Sequence, residues 1–154
     1  MKETKIGILG GGQLGRMLIQ EALNYGLHLS ILDPDPEAPC AKISDFTQGD
    51  FRDYETVKSF AKGKSHLSIE IEDVNIQALK EAEKEGVNVF PQPSIIEIIQ
   101  DKVKQKRFYM ENNFPTALGM ALTSKEDLEG IDQTFFPGFF KFAKGGYDGK
   151  GVMA

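Results

Sequence analysis

The chain has 154 residues, enough for one ordinary domain or for one domain and the start of another. Hydrophobic residues at 40% allow a real core, charged residues at 27% are typical of a soluble protein, and a net charge of −5 speaks against a nucleic-acid partner. The single Cys40 excludes an internal disulfide and reads as an inert side chain in a turn; with no signal peptide after Met1-Lys2-Glu3-Thr4-Lys5 and no bilayer-length apolar run, the chain is expected to be cytoplasmic and free of the membrane.

Ile6-Gly7-Ile8-Leu9 is a short apolar run that ends in Gly10-Gly11-Gly12-Gln13-Leu14-Gly15. Beyond it Leu14, Met17, Leu18, Ala22 and Tyr25 fall at helical spacing, and Gly26 closes the helix. His28-Leu29-Ser30-Ile31-Leu32 predicts a second strand, stopped by Asp33-Pro34-Asp35-Pro36. Strand, glycine turn, helix, strand is a βαβ unit, so the sheet is expected to be parallel. Gly10, Gly12 and Gly15, followed by the acidic Asp33, meet the dinucleotide fingerprint. On these residues alone an NAD(P)-dependent or flavin oxidoreductase is a serious candidate. Arg16 adds charge at the helix start, where surface solvation is the ordinary use of an arginine.

Residues 38–50 show little periodicity and are expected to be mostly loop. Asp53 can cap a helix running through Val57 and Phe60 to Ala61. Ser65-His66-Leu67-Ser68-Ile69-Glu70-Ile71-Glu72 predicts the next strand, whose alternation puts Glu70 and Glu72 on one side. Such a pair is ordinarily a solvated face, but the carboxyl end of a strand in an open α/β sheet is where ligands bind. Asn75 caps a helix to Glu85 with Ile76, Leu79 and Ala82 inward, and Val87-Asn88-Val89-Phe90 is a last short strand before Pro91-Gln92-Pro93. Ser94-Ile95-Ile96-Glu97-Ile98-Ile99-Gln100 reads as a buried helical turn. The following helix crowds Lys102, Lys104, Lys106 and Arg107, ordinarily a solvated cluster. Asn113-Phe114-Pro115-Thr116 is a turn leading into a second domain, and Thr123-Ser124-Lys125-Glu126 reads as a capping box for a short helix.

The final stretch begins as a strand, with Pro137 at its first position and Phe139, Phe140 and Phe142 as strand formers. It then breaks into a loop holding Gly145, Gly146, Gly149 and Gly151. Glycine lets backbone N–H groups approach a ligand closely, and Lys141, Lys144 and Lys150 add ammonium groups, so the loop can cradle phosphate. A flexible hairpin tip with solvating lysines fits the same glycine spacing. No Gly-Lys-Ser/Thr follows four spacer residues, so a P-loop is not indicated. Few side chains are left to pack in residues 145–152, which predicts a loop that is mobile without nucleotide. On so aromatic a strand the charge of Lys141 is expected to be partly withdrawn from water.

Four strings, in order along nearly the whole chain, resemble the N5-carboxyaminoimidazole ribonucleotide synthetases, a branch of the ATP-grasp superfamily in purine biosynthesis. They are Gly10-Gly11-Gly12-Gln13-Leu14-Gly15-Arg16-Met17, the Leu32-Asp33-Pro34-Asp35-Pro36 to Ala38-Pro39-Cys40-Ala41 pattern, Ile69-Glu70-Ile71-Glu72-Asp73-Val74, and Lys141 followed by Gly145-Gly146-Tyr147-Asp148-Gly149-Lys150-Gly151. The resemblance implies an α/β Rossmann-like preATP-grasp domain with a parallel sheet over residues 1–100. Residues 101–154 would then begin an ATP-grasp domain. It implies a ligase: ATP and bicarbonate give carboxyphosphate, and the amine of 5-aminoimidazole ribonucleotide is carboxylated with release of ADP and phosphate. It places Gln13, Leu14, Glu70 and Tyr147 at the substrate, with Glu72 as second choice to Glu70. It places Lys102, Lys141, Gly146, Tyr147, Asp148, Gly149, Lys150, Gly151 and Val152 at ATP. Asp148 would be the acid/base group for the amine proton, although an Asp-Gly pair is also a common turn. Where many members carry arginine this chain has Lys102, which keeps the charge and loses the planar fork. The family is longer than this chain, so magnesium ligands and the adenine clamp are expected beyond Ala154, the chain is expected to be a fragment inactive alone, and a homodimer is implied. A relative acting on glycinamide ribonucleotide and a binding-only scaffold remain as alternatives.

Overall fold

Apolar residues placed side by side on the two central strands decide how the first part of the chain folds. On β1 (Ile6–Leu9) and β2 (Leu29–Asp33) successive side chains point to opposite faces, and the parallel register sets Ile8 beside Ile31 and Leu9 beside Leu32. All four are essentially inaccessible, so both faces of the sheet must be covered. One face packs Ile8 and Ile31 with Ile19 and Ala22 of α1 (Gln13–Asn24) and with Cys40. The other packs Leu9 and Leu32 with Val57 and Phe60 of α2 (Tyr54–Ala61) and with Ala78, Leu79 and Ala82 of α3 (Ile76–Lys84). Each Ile, Leu, Val or Phe side chain among them contributes roughly 1.5–3 kcal/mol on burial. With β3 (Asp45–Gln48), β4 (His66–Ile69) and β5 (Asn88–Phe90) the strands form one parallel sheet in the order β3-β2-β1-β4-β5.

The computed structural model describes residues 4–146 and 151–154, and the chain falls into two units, Met1–Ile96 and Glu97–Ala154. The parallel α/β architecture and the caps at Asp53 and Asn75 follow the sequence expectation, each cap side chain accepting a backbone N–H, from Thr56 and Ala78. Four local expectations are corrected. Residues 38–50 are not all loop: β3 lies there. It is an exposed edge strand, reached from β2 without a helix, so neither an apolar run nor a βαβ pattern marks it. The inward face of α1 is Gly15, Ile19 and Ala22, while Leu14, Met17, Leu18 and Tyr25 are exposed, because Gly15 lets the helix sit close on the sheet and so fixes its rotation. β4 stops at Ile69, so Glu70 and Glu72 lie past the strand and its alternation does not align them. The N-cap of α6 (Lys125–Glu129) is Ser124, paired reciprocally with Asp127, one residue later than the expected box.

The first unit ends within α4 (Pro93–Ile99), which opens on Pro93 and buries Ile96 in that unit's core. α5 (Lys102–Glu111) follows. Lys104 and Lys106 are tethered rather than merely solvated: Lys104 pairs with Glu97 at 2.8 Å, and the Lys106 ammonium donates to the Thr116 hydroxyl at 3.0 Å and to the Ala117 carbonyl. The last strand is shorter than expected. β6 (Phe140–Lys141) pairs only with β7 (Val152–Met153), antiparallel, so Pro137 and Phe139 find no ladder partner there.

Candidate functional site

Chain order reverses across β1 and β4: the chain leaves β1 toward β2 and β3, then returns to the far side of β1 as β4. The crevice at the carboxyl ends of those two strands is the ligand position of an open α/β sheet. Residues 10–15 leave β1 there and enter α1. Gly10 sits at φ +101°, outside the range of residues with a Cβ. Its N–H donates to the Leu32 carbonyl at 2.9 Å, and on the other side the Glu70 N–H donates to the Leu9 carbonyl at 2.7 Å. The N-cap of α1 is Gly12, which offers no side-chain oxygen, and no acidic residue stands in the first turn. That helix start favours an anion or a dipole acceptor.

The glycines of this turn are filled by the chain itself. A Cβ on Gly12 would stand 2.4 Å from Glu70 Oε1, and one on Gly10 would stand 2.8 Å from Glu70 Oε2. A Cβ on Gly11 would press on Ile31, Asp33 and Ala38, and one on Gly15 on Cys40 Sγ at 3.1 Å. The glycine that would admit a pyrophosphate in a dinucleotide fingerprint therefore faces a carboxylate, which repels phosphate and suits hydroxyl or amine donors. Asp33, the fingerprint acid, is turned inward. Its Oδ2 accepts the Gly11 N–H at 2.7 Å and its Oδ1 the Asp35 N–H at 2.8 Å. From the same side Cys40 donates its N–H to the Gly11 carbonyl at 3.0 Å and its thiol to the Gly12 carbonyl at 3.6 Å. Burial, helped by the Glu70 and Asp33 carboxylates and opposed by Arg16, pushes the Cys40 thiol up from its ordinary range. The buried, protonated thiol agrees with an inert cysteine.

In the second unit Asp101 caps α5, its Oδ1 accepting from the Val103 and Lys104 N–H groups at 3.0 and 3.1 Å. These bonds, that from Lys104 foremost, hold its carboxyl below the ordinary range. Beside it the glycine loop is tied down: the Lys102 N–H donates to the Ala143 carbonyl at 2.8 Å, Lys102 Nζ donates to the Gly146 carbonyl at 3.0 Å, and Lys144 stands 3.8 Å from Asp101 Oδ2. Gly145 lies at φ +75° with nothing within 4 Å of where a Cβ would be. Next to the strand pair opens a cleft of about 420 Å³, with Leu118, Met120, Phe140, Phe142 and Met153 on its walls and Lys141 at its border. An apolar wall beside an ammonium and open glycine backbone can take an aromatic base against carbon and phosphate against N–H and charge.

The site residues named from sequence thus fall in two groups. Gln13 and Leu14 begin α1, both exposed, and Glu70 is half-buried against the turn they leave. Lys102 and Gly146 are bonded to each other, and Lys141 stands in β6 opposite Val152. Gly151 takes φ +74° and accepts the Phe142 N–H at 3.0 Å. Tyr147, Asp148, Gly149 and Lys150 lie outside the described residues, as does the heart of the loop expected to be mobile. Lys141 is exposed, contrary to the expectation of a charge withdrawn from water, because a two-residue strand gives it no layer to sink into. Sequence reasoning missed Asp101 as the cap behind Lys102 and Asp33 as a brace; an Asp directly ahead of a helix was the available signal for the first. Among the described residues no three His, Cys, Asp or Glu side chains gather as a metal site, and no helix is long and apolar enough to cross a membrane.

Residues 1–100 match the family model described as the ribonucleotide synthetase preATP-grasp domain. An N5-carboxyaminoimidazole ribonucleotide synthase of Saccharolobus solfataricus is 36% identical over 153 residues, 97% of this chain and 40% of the relative. The carboxyaminoimidazole ribonucleotide synthase of Aspergillus clavatus, solved with ATP, superposes with a TM-score of 0.87 at 32% identity, over 98% of this chain and 41% of that one. The same organism's enzyme in complex with ADP and 5-aminoimidazole ribonucleotide gives 0.82 at 29% identity, over 98% and 40%. The chain spans about two fifths of the length of these relatives.

Proposed function

We propose that this chain, which belongs to the ribonucleotide synthetase preATP-grasp family, serves the ATP-dependent carboxylation of 5-aminoimidazole ribonucleotide by bicarbonate in purine biosynthesis. The observation that carries the reading is the carboxylate of Glu70 set against Gly10 and Gly12, where a dinucleotide would bring its pyrophosphate. That placement speaks against the oxidoreductase and for a ligand with hydroxyl or amine donors. Relatives solved with ATP, and with ADP and 5-aminoimidazole ribonucleotide, support the same substrates here.

In this scheme ATP phosphorylates bicarbonate, and the substrate amine attacks the carboxyl carbon as phosphate leaves. Gln13 and Leu14 hold the ribonucleotide at the helix start, and Glu70 accepts hydrogen bonds from its hydroxyl or amine groups; Tyr147 is a further substrate residue in the proposal. Lys141, Lys102 and the backbone of residues 146–152 hold the nucleotide phosphates, and Asp148 takes the amine proton. The work is positioning and charge stabilisation, which glycine N–H groups, ammonium groups and carboxylates provide. Magnesium, where bound, neutralises phosphate charge; its ligands are expected outside residues 1–154. A cytoplasmic homodimer is part of the same proposal.

The test is ADP release by the intact protein. Release that needs both bicarbonate and 5-aminoimidazole ribonucleotide is the expected result. Release with glycinamide ribonucleotide instead would move the protein to a neighbouring ATP-grasp class. Ligand binding without any ADP release would leave a binding scaffold.

A further inference from the structure

We infer that Asp33 is a positioning residue for the ribonucleotide substrate: the acid that a dinucleotide enzyme would spend on a ribose here braces the glycine turn from behind. The inference rests on the phosphoribosyl reading of the crevice. Both oxygens of Asp33 are committed to backbone, Oδ2 to the Gly11 N–H at 2.7 Å and Oδ1 to the Asp35 N–H at 2.8 Å. The first bond fixes the turn and the second fixes the loop behind it, so one carboxylate joins the two segments. The peptide of Gly11 is held at both ends, because its carbonyl accepts the Cys40 N–H at 3.0 Å. Cys40 also bonds the Gly12 carbonyl through its thiol and fills the space above Gly15. Residues 33–40 therefore clamp one side of the turn while Glu70 lies against the other.

What the clamp controls is direction. Gly11 is two residues ahead of Gln13, where α1 begins with no side-chain cap of its own. Among the described residues no side chain caps that first turn, so the helix start leans on the backbone bonds of residues 10–12 together with the packing of Glu70 and Cys40 against its glycines. A small displacement there would swing the free N–H groups and the Gln13 side chain off the ligand, and misplacement on the scale of an ångström costs binding and rate steeply. Asparagine keeps one acceptor and replaces the other with a donor that must face an N–H, so Asp33→Asn breaks one of the two bonds while keeping the volume.

The test compares wild type with Asp33→Asn, Asp33→Ala and, as the cap of another helix in the same unit, Asp53→Ala, all in the intact protein. For Asp33→Asn the KM for 5-aminoimidazole ribonucleotide should rise roughly tenfold, the order expected for a lost charge-assisted bond, with KM for ATP unchanged. Asp33→Ala should be worse on that KM alone, and Asp53→Ala should lower the melting temperature without moving either KM. The second readout is amide exchange at Gly11 and Asp35, which should quicken at both in Asp33→Ala, at one or the other in Asp33→Asn, and at neither in Asp53→Ala. Unchanged Gly11 exchange in Asp33→Ala, which removes both acceptors, overturns the brace. Loss spread equally over both KM values, in step with melting temperature, overturns the positioning role in favour of plain stability. Wild type that never uses 5-aminoimidazole ribonucleotide refutes the function, and with it the substrate half of this inference, whereas Gly11 exchange still decides the brace separately.

Discussion

Two glycine-rich turns, residues 10–15 and residues 145–151, look alike as strings and differ as structures. In the first, the space above every glycine is taken by Glu70, Ile31, Asp33, Ala38 or Cys40, so glycine is there for packing. In the second, Gly145 has open space above it while Gly151 is backed by Phe142, and among the described residues the stem is tied through Lys102 and Asp101. A filled turn presents a fixed surface to a ligand; an open one leaves room for a ligand to come down on the backbone. Glycine count alone does not separate these uses, but the neighbours do.

Alanine tests the contrast at its strongest. Gly10→Ala combines φ +101° with a clash on Glu70 Oε2 and tight contacts on Glu70 Cβ and Ile71, and should cost roughly 2–4 kcal/mol of unfolding free energy. Gly145→Ala meets no atom and should cost only about 1 kcal/mol for its left-handed backbone. Urea denaturation of the intact variants measures both, and equal costs would erase the distinction. Lys141→Ala sharpens it from the ligand side. Being exposed, Lys141 should change stability by no more than about 0.5 kcal/mol. It should nevertheless weaken ATP binding or turnover by roughly 1.5–3 kcal/mol, the worth of a hydrogen bond to a charged group. An unaltered ATP affinity and rate would leave Lys141 as decoration.

The smallest effect belongs to the stem. Asp101→Ala removes the cap of α5 and should cost about 1 kcal/mol near neutral pH, while Asp101→Asn should keep most of it. Because the folded state holds this carboxyl below its ordinary value, its contribution is full above the unfolded value of about 4 and is lost as pH falls through the lower folded value. Thermal melts of wild type and Asp101→Ala should therefore begin to converge below about pH 4 and meet only below the lower folded value, and a gap that stays constant throughout would mean the carboxylate is not the cap.

The first unit was legible because its signals are local: apolar pairs on β1 and β2, Asp53 and Asn75 ahead of their helices, and a glycine turn after a strand. What escaped depended on distant partners. β3 is polar and needs β2 to be a strand, and the rotation of α1 is set by Gly15 against Cys40, which no periodicity reveals. Asp33 is the sharpest case. Its spacing from Gly10 satisfies a dinucleotide pattern, and only the direction of its two oxygens shows that it faces the turn. The Asp148 half of the site lies outside the described residues.

One measurement bears most directly on the division of labour between the two turns: calorimetry of the intact protein with ATP, 5-aminoimidazole ribonucleotide, NAD and NADP in separate titrations. Binding of ATP and of 5-aminoimidazole ribonucleotide, with no heat from either dinucleotide, is the predicted result. Tight nicotinamide-dinucleotide binding without ATP binding would contradict it and return Asp33 and Glu70 to an oxidoreductase.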